Sequence, residues 1–461
     1  MMRKPAYLTL FTSLLLAGCT LAPDYQAPVT GIAGQYPAGT MAAPAADVAW
    51  RDFFLEPELQ GLIEQALVRN HDLLIAAGNV ERARALYRIE RSAQLPSVAL
   101  GGQASRARTV GPAGGINEQI GVNVGFTAFE LDLFGRVRSL SDAARQSYLA
   151  TAAARETARL TVVAEVANTY LTLLADREQL ALTERTFAAQ QESYDLIRQA
   201  YDRGARNLLE LRQAETLLET ARADHAAYRR QVARDENALA VLTGGPVTVA
   251  ADRELGADGT LLIPALPEGL PSDLLVRRPD IMQAEHTLRA ANANIGAARA
   301  AFFPRLSLTS ALGTASTSLS GLFEDGSKTW SVGADASLPL FDFGRNQANL
   351  DVAKAEQEIA VAQYQGTVRT AFQEVADTLV ARATLDDQIA AQTALVAAAR
   401  ESQELSQARY DRGIDSYLQV LDAQRSLYGA ERTLIALRLE RLANLVTLYK
   451  ALGGGTGDRA D

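Results

Sequence analysis

One cysteine, three histidines and four methionines in 461 residues leave metal and thiol chemistry little to work with. His71, His225 and His286 are scattered, with no pair at ligand spacing and no cysteine cluster beside them. No metal and no cofactor are therefore expected. A lone cysteine also excludes a disulfide within one chain. Positive charge is scarce as well: 45 Lys and Arg stand against 54 Asp and Glu, for a formal net charge of -9, and no long basic run concentrates them. Phosphate binding needs concentrated cations, so a nucleic-acid partner is not expected. Gly453-Gly454-Gly455 lacks the strand and helix context of a phosphate loop. The many carboxylates lie on helical faces that solvent explains, so no catalytic residue is assigned and the chain does not read as an enzyme. After the N-terminus, no segment is hydrophobic enough for a membrane-spanning helix.

The N-terminus itself carries a signal. Arg3 and Lys4 precede a largely apolar run from Tyr7 to Leu16, too short to cross a bilayer core of about 30 Å. Residues 1–18 read as a secretory signal peptide. Leu16-Ala17-Gly18-Cys19 resembles the lipobox of bacterial lipoproteins. On that resemblance Cys19 becomes the acylated first residue of the mature chain; a lone buried structural thiol is the plainer reading, and thiol catalysis would leave the flanking residues unexplained. Thr20 follows where an Asp would resemble an inner-membrane retention signal, so the anchor points to the outer membrane. Each buried methylene contributes about 0.8 kcal/mol, and several acyl chains on one residue hold a protein firmly.

The rest of the chain is a tandem duplication. Phe134-Gly135-Arg136 recurs as Phe343-Gly344-Arg345, and Tyr201-Asp202-Arg203-Gly204 recurs as Tyr410-Asp411-Arg412-Gly413, both 209 residues on. Gly244-Gly245 and Gly453-Gly454 keep that offset, while Asp72 and Pro96 match Asp280 and Pro304 at 208. Such register does not arise by chance. The spacing divides the chain into a lipid-anchored segment 19–56, a first repeat 57–245, an equatorial linker 246–277, a second repeat 278–454 and a flexible tail 455–461. Each repeat is expected to run helix, β-hairpin, long helix, return helix.

Proline and glycine spacing sets the helices. Val137 to Arg203 has neither, and is rich in strong helix formers; Asn346 to Arg412 repeats it with Gly366 as the one interruption. Each such helix would be about 100 Å long. Arg203-Gly204 and Arg412-Gly413 stop them, and Asn207 to Thr243 and Ser416 to Leu452 return. A further helix opens at Pro279 and runs to about Phe302. Stacked on a return helix it matches the long one in height, which suggests a helical tube with a belt. Ile120, Val122, Val124, Phe126 and Ala128 alternate with polar residues or glycine, as do Trp330, Val332, Ala334, Ala336 and Leu338. Period two means strands, and Val98, Leu100, Leu306 and Leu308 extend the pattern after Pro96 and Pro304. A soluble sandwich shares that pattern, but the strands approach the 9–11 residues a membrane strand needs. Four strands cannot close a barrel in lipid. Three copies would supply twelve.

These stretches resemble the outer-membrane factors of tripartite efflux pumps, the TolC-like family, and its lipoprotein branch. The resemblance rests on Cys19-Thr20-Leu21-Ala22-Pro23-Asp24-Tyr25, Trp50-Arg51-Asp52-Phe53-Phe54 and Arg278-Pro279-Asp280-Ile281. It extends through Ala297-Ala298-Arg299-Ala300-Ala301-Phe302-Phe303-Pro304 and Leu421-Asp422-Ala423-Gln424-Arg425-Ser426-Leu427. It implies an α+β membrane protein: a homotrimer joining a 12-stranded outer-membrane β-barrel to a long periplasmic α-helical barrel with a mixed equatorial belt. It implies partners too, a periplasmic adaptor and an inner-membrane transporter, and an exit duct for small toxic compounds or drugs.

Leu418, Asp422 and Arg425 fall on one face of one helix, where the resemblance places a periplasmic gate. An ordinary core leucine with an intrahelical Asp–Arg pair is the plainer reading. Gly204 and Gly413, with Ala205 and Ile414 after them, occupy the helix tips that dock the adaptor in the family; a helix stop also needs glycine there. Arg206 and Asp415 differ in charge, so the two tips are not equivalent. Duct function could instead serve protein or metal-ion export, and a periplasmic coiled-coil scaffold remains an alternative that has no use for lipid-length strands.

Overall fold

The computed structural model describes residues 20–30, 48–111, 114–250, 255, 261–262 and 277–454. Cys19, the leader before it, most of the linker 246–277 and the tail after Gly454 lie outside the described residues. The elements are α1 (Trp50–Phe53), α2 (Pro57–Arg69), α3 (His71–Ser92), β1 (Val98–Arg108), β2 (Ile116–Leu131) and α4 (Arg136–Asp202). There follow α5 (Leu208–Thr243), α6 (Pro279–Ala300), β3 (Arg305–Ser316), β4 (Lys328–Ser337), α7 (Arg345–Asp411) and α8 (Tyr417–Ala451). Helices α4 and α7 have 67 residues each, about 100 Å at 1.5 Å per residue. Gly366 does not break α7. Among the described residues no helix is long and apolar enough to cross a membrane. The chain forms two units.

The first unit holds the described residues within 78–153 and 282–367 together with Thr20 to Val29. Its sheet is antiparallel, in the order β1-β2-β3-β4. Register repeats between the hairpins: Val98 faces Phe126 and Ala104 faces Ile120, as Leu306 faces Ala336 and Leu312 faces Trp330. The sequence predicts unbroken alternation through Ala128. Instead β2 carries a bulge between Phe126 and Phe129, with Ala128 at φ 53°, and this extra residue flips the side-chain order below it. Strands β1 and β4 are edges, and β4 is exposed on both faces.

Segment Thr20 to Val29 lies against this unit. Asn292 Nδ2 donates to the Pro23 carbonyl at 2.7 Å and Arg299 to that of Leu21 at 3.0 Å. Tyr25 donates to Glu285 at 3.2 Å, under the Arg289 guanidinium 4.8 Å from its ring centre. Burial, with Glu285 beside it, pushes the Tyr25 hydroxyl up to about 12.

The second unit contains the described residues within 154–281 and 368–454, with 48–77. Its core includes Phe53, which stacks on Tyr449 with centroids 4.3 Å apart, and fully buried Phe54, Leu59 and Tyr170. Buried Arg278 explains the Arg-Pro-Asp motif. It donates to Asp280 and Glu374, both at 2.8 Å, and to the Ala451 carbonyl at 2.7 Å, tying α6, α7 and α8 together. One difference from expectation falls here: the single helix ahead of the first hairpin is two, α2 and α3. Asn70 separates them in an extended conformation. Its Oδ1 accepts from the Asp72 amide at 2.9 Å, while its Nδ2 donates to the Leu242 carbonyl, so one side chain caps α3 and pins α2 to the end of α5.

Candidate functional site

The candidate site is built from two helix turns and the α8 face that rises from one of them. Both long helices end the same way. Gly204 and Gly413 take φ +71° and +73°, a region open to glycine at little steric cost. Ala205 N–H donates to Ala200 O at 2.8 Å and Ile414 N–H to Arg409 O at 3.0 Å. These six-residue closures satisfy the orphan carbonyls of each helix end.

Beyond the glycines the turns diverge. In the first, Asn207 Oδ1 accepts from the Glu210 amide at 2.9 Å and its Nδ2 donates to Glu210 Oε1 at 3.2 Å; the Arg206 guanidinium lies 4.6 Å above the Tyr410 ring. In the second, Ser416 makes no side-chain cap. Arg409 instead grips Asp415 through two hydrogen bonds of 2.6 and 3.0 Å, which holds the Asp415 carboxyl below its usual range. The turns share one core of Ile197, Leu211, Ala214, Tyr410, Tyr417, Val420 and Leu421. Ala205 and Ile414 are both exposed, Ile414 at 58%.

Leu421 points into that core and so turns Leu418, Asp422 and Arg425 outward. All three are exposed in the single chain, Leu418 at 47%. No ion pair joins Asp422 to Arg425 among the described residues. Their counterparts 209 residues earlier are Leu209, Gln213 and Thr216; the charges belong to the second repeat alone.

Three features escaped the sequence because their partners are far apart in the chain. Gln190 donates to Gln424 at 3.1 Å, and a turn above Arg425 the Tyr428 hydroxyl donates to Asp224 at 2.8 Å. Arg432 donates to the Tyr228 hydroxyl at 3.0 Å and lies 5.6 and 5.4 Å from the Tyr228 and Tyr428 ring centres. Together they clasp α8 to α4 and α5. Further along, α4 and α5 bring Asp176 beside Asp235, which is only 7% exposed. Burial, with the Asp235 carboxyl beside it, pushes Asp176 up to about 7, and burial pushes Asp235 up as well. Gln231 Nε2 donates to Asp235 Oδ1 at 3.0 Å. The second repeat has Leu385 and Asn444 at these positions. No group of three metal-ligating side chains occurs among the described residues.

Comparison with known proteins agrees with this architecture. The family model for outer membrane efflux proteins matches twice, over residues 62–245 and 270–454. An antibiotic efflux pump outer membrane protein, ArpC of Pseudomonas putida, is 47% identical over 460 residues, covering 96% of this chain and 94% of that one. The toluene efflux pump outer membrane protein TtgC of the same species is 47% identical with the same coverage. The open-state structure of the MtrE outer membrane channel of Neisseria gonorrhoeae superposes with TM-score 0.86 at 40% identity, covering 96% of this chain and 100% of that one. With its fold, its doubled architecture and nearly its whole length shared, the chain belongs to the outer membrane efflux protein family.

Proposed function

We propose that three copies of this chain form a closed exit duct across the outer membrane, carrying small toxic organic compounds out of the cell. The observation that carries this reading is the four-stranded sheet, with both edges unpaired and apolar Leu100, Trp330 and Val332 at least 71% exposed. Lipid tolerates no open edge, and barrels start at about eight strands; three copies supply twelve. The cargo class follows the relatives named for antibiotic and toluene efflux. Acylation of Cys19 supplies the anchor. The exposed helix turns at Gly204-Ala205 and Gly413-Ile414 dock a periplasmic adaptor, which links the duct to an inner-membrane transporter.

Rings of Leu418, Asp422 and Arg425, three of each, form the gate. Their exposure in the single chain and the absence of an Asp422–Arg425 pair support this role. Charged rings at a constriction govern ion passage. Replacing Asp422 and Arg425 together by Ala is expected to raise single-channel conductance in planar bilayers, whereas Gln213→Ala with Thr216→Ala leaves it unchanged. Equal conductance for both double variants in verified trimers removes the gate. A deletion strain should become more sensitive to solvents and antibiotics, and purified protein that makes no pores refutes the duct.

A further inference from the structure

Helices α5 and α8 both start from the shared core of the two turns and run on in the same direction. A shift of seven residues on each helix, two turns, leads from one layer of contacts between them to the next. In the upper layer a phenol ring fills the contact. Arg432 donates to the Tyr228 hydroxyl at 3.0 Å, and its guanidinium lies 5.6 Å from that ring centre. Seven residues nearer the turns the cation is kept, as Arg425, but Ala221 stands in the place of Tyr228. Where the upper layer has a ring, the lower layer has a cavity of about 260 Å³ lined by both residues. A cavity of about 150 Å³ already accepts benzene.

The lining suits a phenol better than a plain hydrocarbon. Leu217 and Ala221 of α5 and the Tyr428 ring of α8 supply apolar wall, while Arg425 stands exposed at the rim. Helix α4 adds Thr186 and Gln190. The Thr186 hydroxyl spends its proton on the Leu182 carbonyl at 2.9 Å, so towards the cavity it can only accept. Gln190 is 7% exposed; its Nε2 donates to Gln424, but its Oε1 has no hydrogen-bond partner among the described residues. An unpaired buried acceptor is costly. Because a terminal amide torsion is broad, Gln190 can turn this oxygen towards a donor in the cavity. One hydroxyl serves both sides, donating to Gln190 and accepting from Arg425. The polar lining has no copy in the second repeat, where Leu395 and Ala399 hold the positions of Thr186 and Gln190.

We propose that this cavity binds a small monocyclic phenol, its ring against Leu217 and Ala221 and beside the Arg425 guanidinium. The bound ring ties α5 to α8 as Tyr228 does two turns above, at the level of the gate residues. Its effect on the duct rests on the gate reading above; the binding itself does not.

The probe is 4-methylphenol, the tyrosine side chain as a free molecule. Titrated calorimetrically into full-length trimers in detergent, it should bind saturably, once per chain. Toluene, which lacks the hydroxyl, should bind about tenfold more weakly. Gln190→Leu should weaken 4-methylphenol by a similar factor. Ala221→Tyr supplies the ring covalently and should abolish saturable binding. If that variant does not assemble, Ala221→Leu fills the same space with a smaller side chain and carries the same expectation. Uptake that never saturates, or saturable binding that survives filling of the cavity, overturns the site. Equal affinity for toluene overturns the role of the hydroxyl. In planar bilayers 4-methylphenol should lower the single-channel conductance of the parent, whereas Ala221→Tyr should be lower from the start and indifferent to the probe. Saturable binding with unchanged conductance overturns the effect on the duct. Failure of the gate reading shows separately, in the Asp422 and Arg425 double variant without any phenol.

Discussion

Helix α6 buries Leu288 and Ile295, at 2% exposure each, whereas α3, its counterpart 208 residues earlier, has no buried residue. Their sequences do not explain the contrast, since α3 presents Leu86 and Ile89 to solvent at 55% and 63%. What differs is company. Within the first unit α6 meets α4 through His286 and Gln146 at 2.8 Å, meets α7 through Asn292 and Gln357 at 3.2 Å, and carries the N-terminal segment. Helix α3 meets α4 through the Tyr87–Tyr148 stack. Exposed apolar residues here mark where the duplication calls for another copy. Helix α7 agrees: Val352 and Ile359, at 56% and 57%, stand where α4 buries Ala143 and Ala150.

The largest effect that could break this comparison comes from cutting the same side chain on both helices. Leu288→Ala should destabilise the chain by about 2–5 kcal/mol in any assembly state, as buried leucines do. Val80→Ala at the matching, half-buried position should cost only about 1 kcal/mol in a dissociated chain. Its cost should rise towards that of a core residue in the trimer. Thermal unfolding in detergent, with and without prior trimer dissociation, measures both. Equal costs in the dissociated chain would mean that α3 is packed already.

Such symmetry was legible in the sequence wherever one residue type alone decides the backbone. The glycines at 204 and 413 stop their helices, the breaker-free runs form α4 and α7, and period-two alternation marks the hairpins. The Asn70 break and the Ala128 bulge were not legible. An Asn inside a helical pattern is common, and the bond that pins this one, to the Leu242 carbonyl, reaches 172 residues along the chain. The bulge is a one-residue excess visible only once two strands are paired. For the site, the α8 face could be drawn from spacing, but its direction could not. Leu421 fixes it by entering a core assembled from four helices.

A smaller effect separates the repeats at the carboxyl pair. Asp176 and Asp235 lie side by side where the second repeat has Leu385 and Asn444. Because the folded chain raises Asp176 from the ordinary 3.8 to about 7, it binds a proton more tightly than the unfolded chain does. Stability is therefore full below about pH 4 and falls as pH rises through about 7. Glu236, which is ion-paired with Arg177 at 3.0 Å, adds negative charge beside Asp235. Discounted for the half-exposed position of Asp176, the loss is about 2 kcal/mol. Asp235→Asn, which brings this pair closer to the second repeat, should flatten the melting temperature between pH 5 and 8 and raise it at pH 8. A variant with the parent's pH profile would show that Asp235 does not raise the Asp176 carboxyl.

The finest distinction lies at the turns, where the repeats stiffen the same backbone by different means. Asn207→Ala removes the side chain that accepts from the Glu210 amide, so the start of α5 should lose about 1 kcal/mol. Ser416→Ala removes no cap and should leave α8 nearly unchanged. Hydrogen exchange at the first turn of each helix reads the two separately, and equal acceleration would deny the difference. Salt should act in the reverse sense. Arg409 and Asp415 are held by charge at an exposed turn, so raising ionic strength should loosen the second turn. The first turn, closed by the neutral Asn207 side chain and carrying only the longer Arg206–Glu210 ion pair of 3.7 Å, should respond less. If both turns dock the same adaptor, the second should set how docking responds to salt, because there the surface geometry and the screened ion pair are one feature.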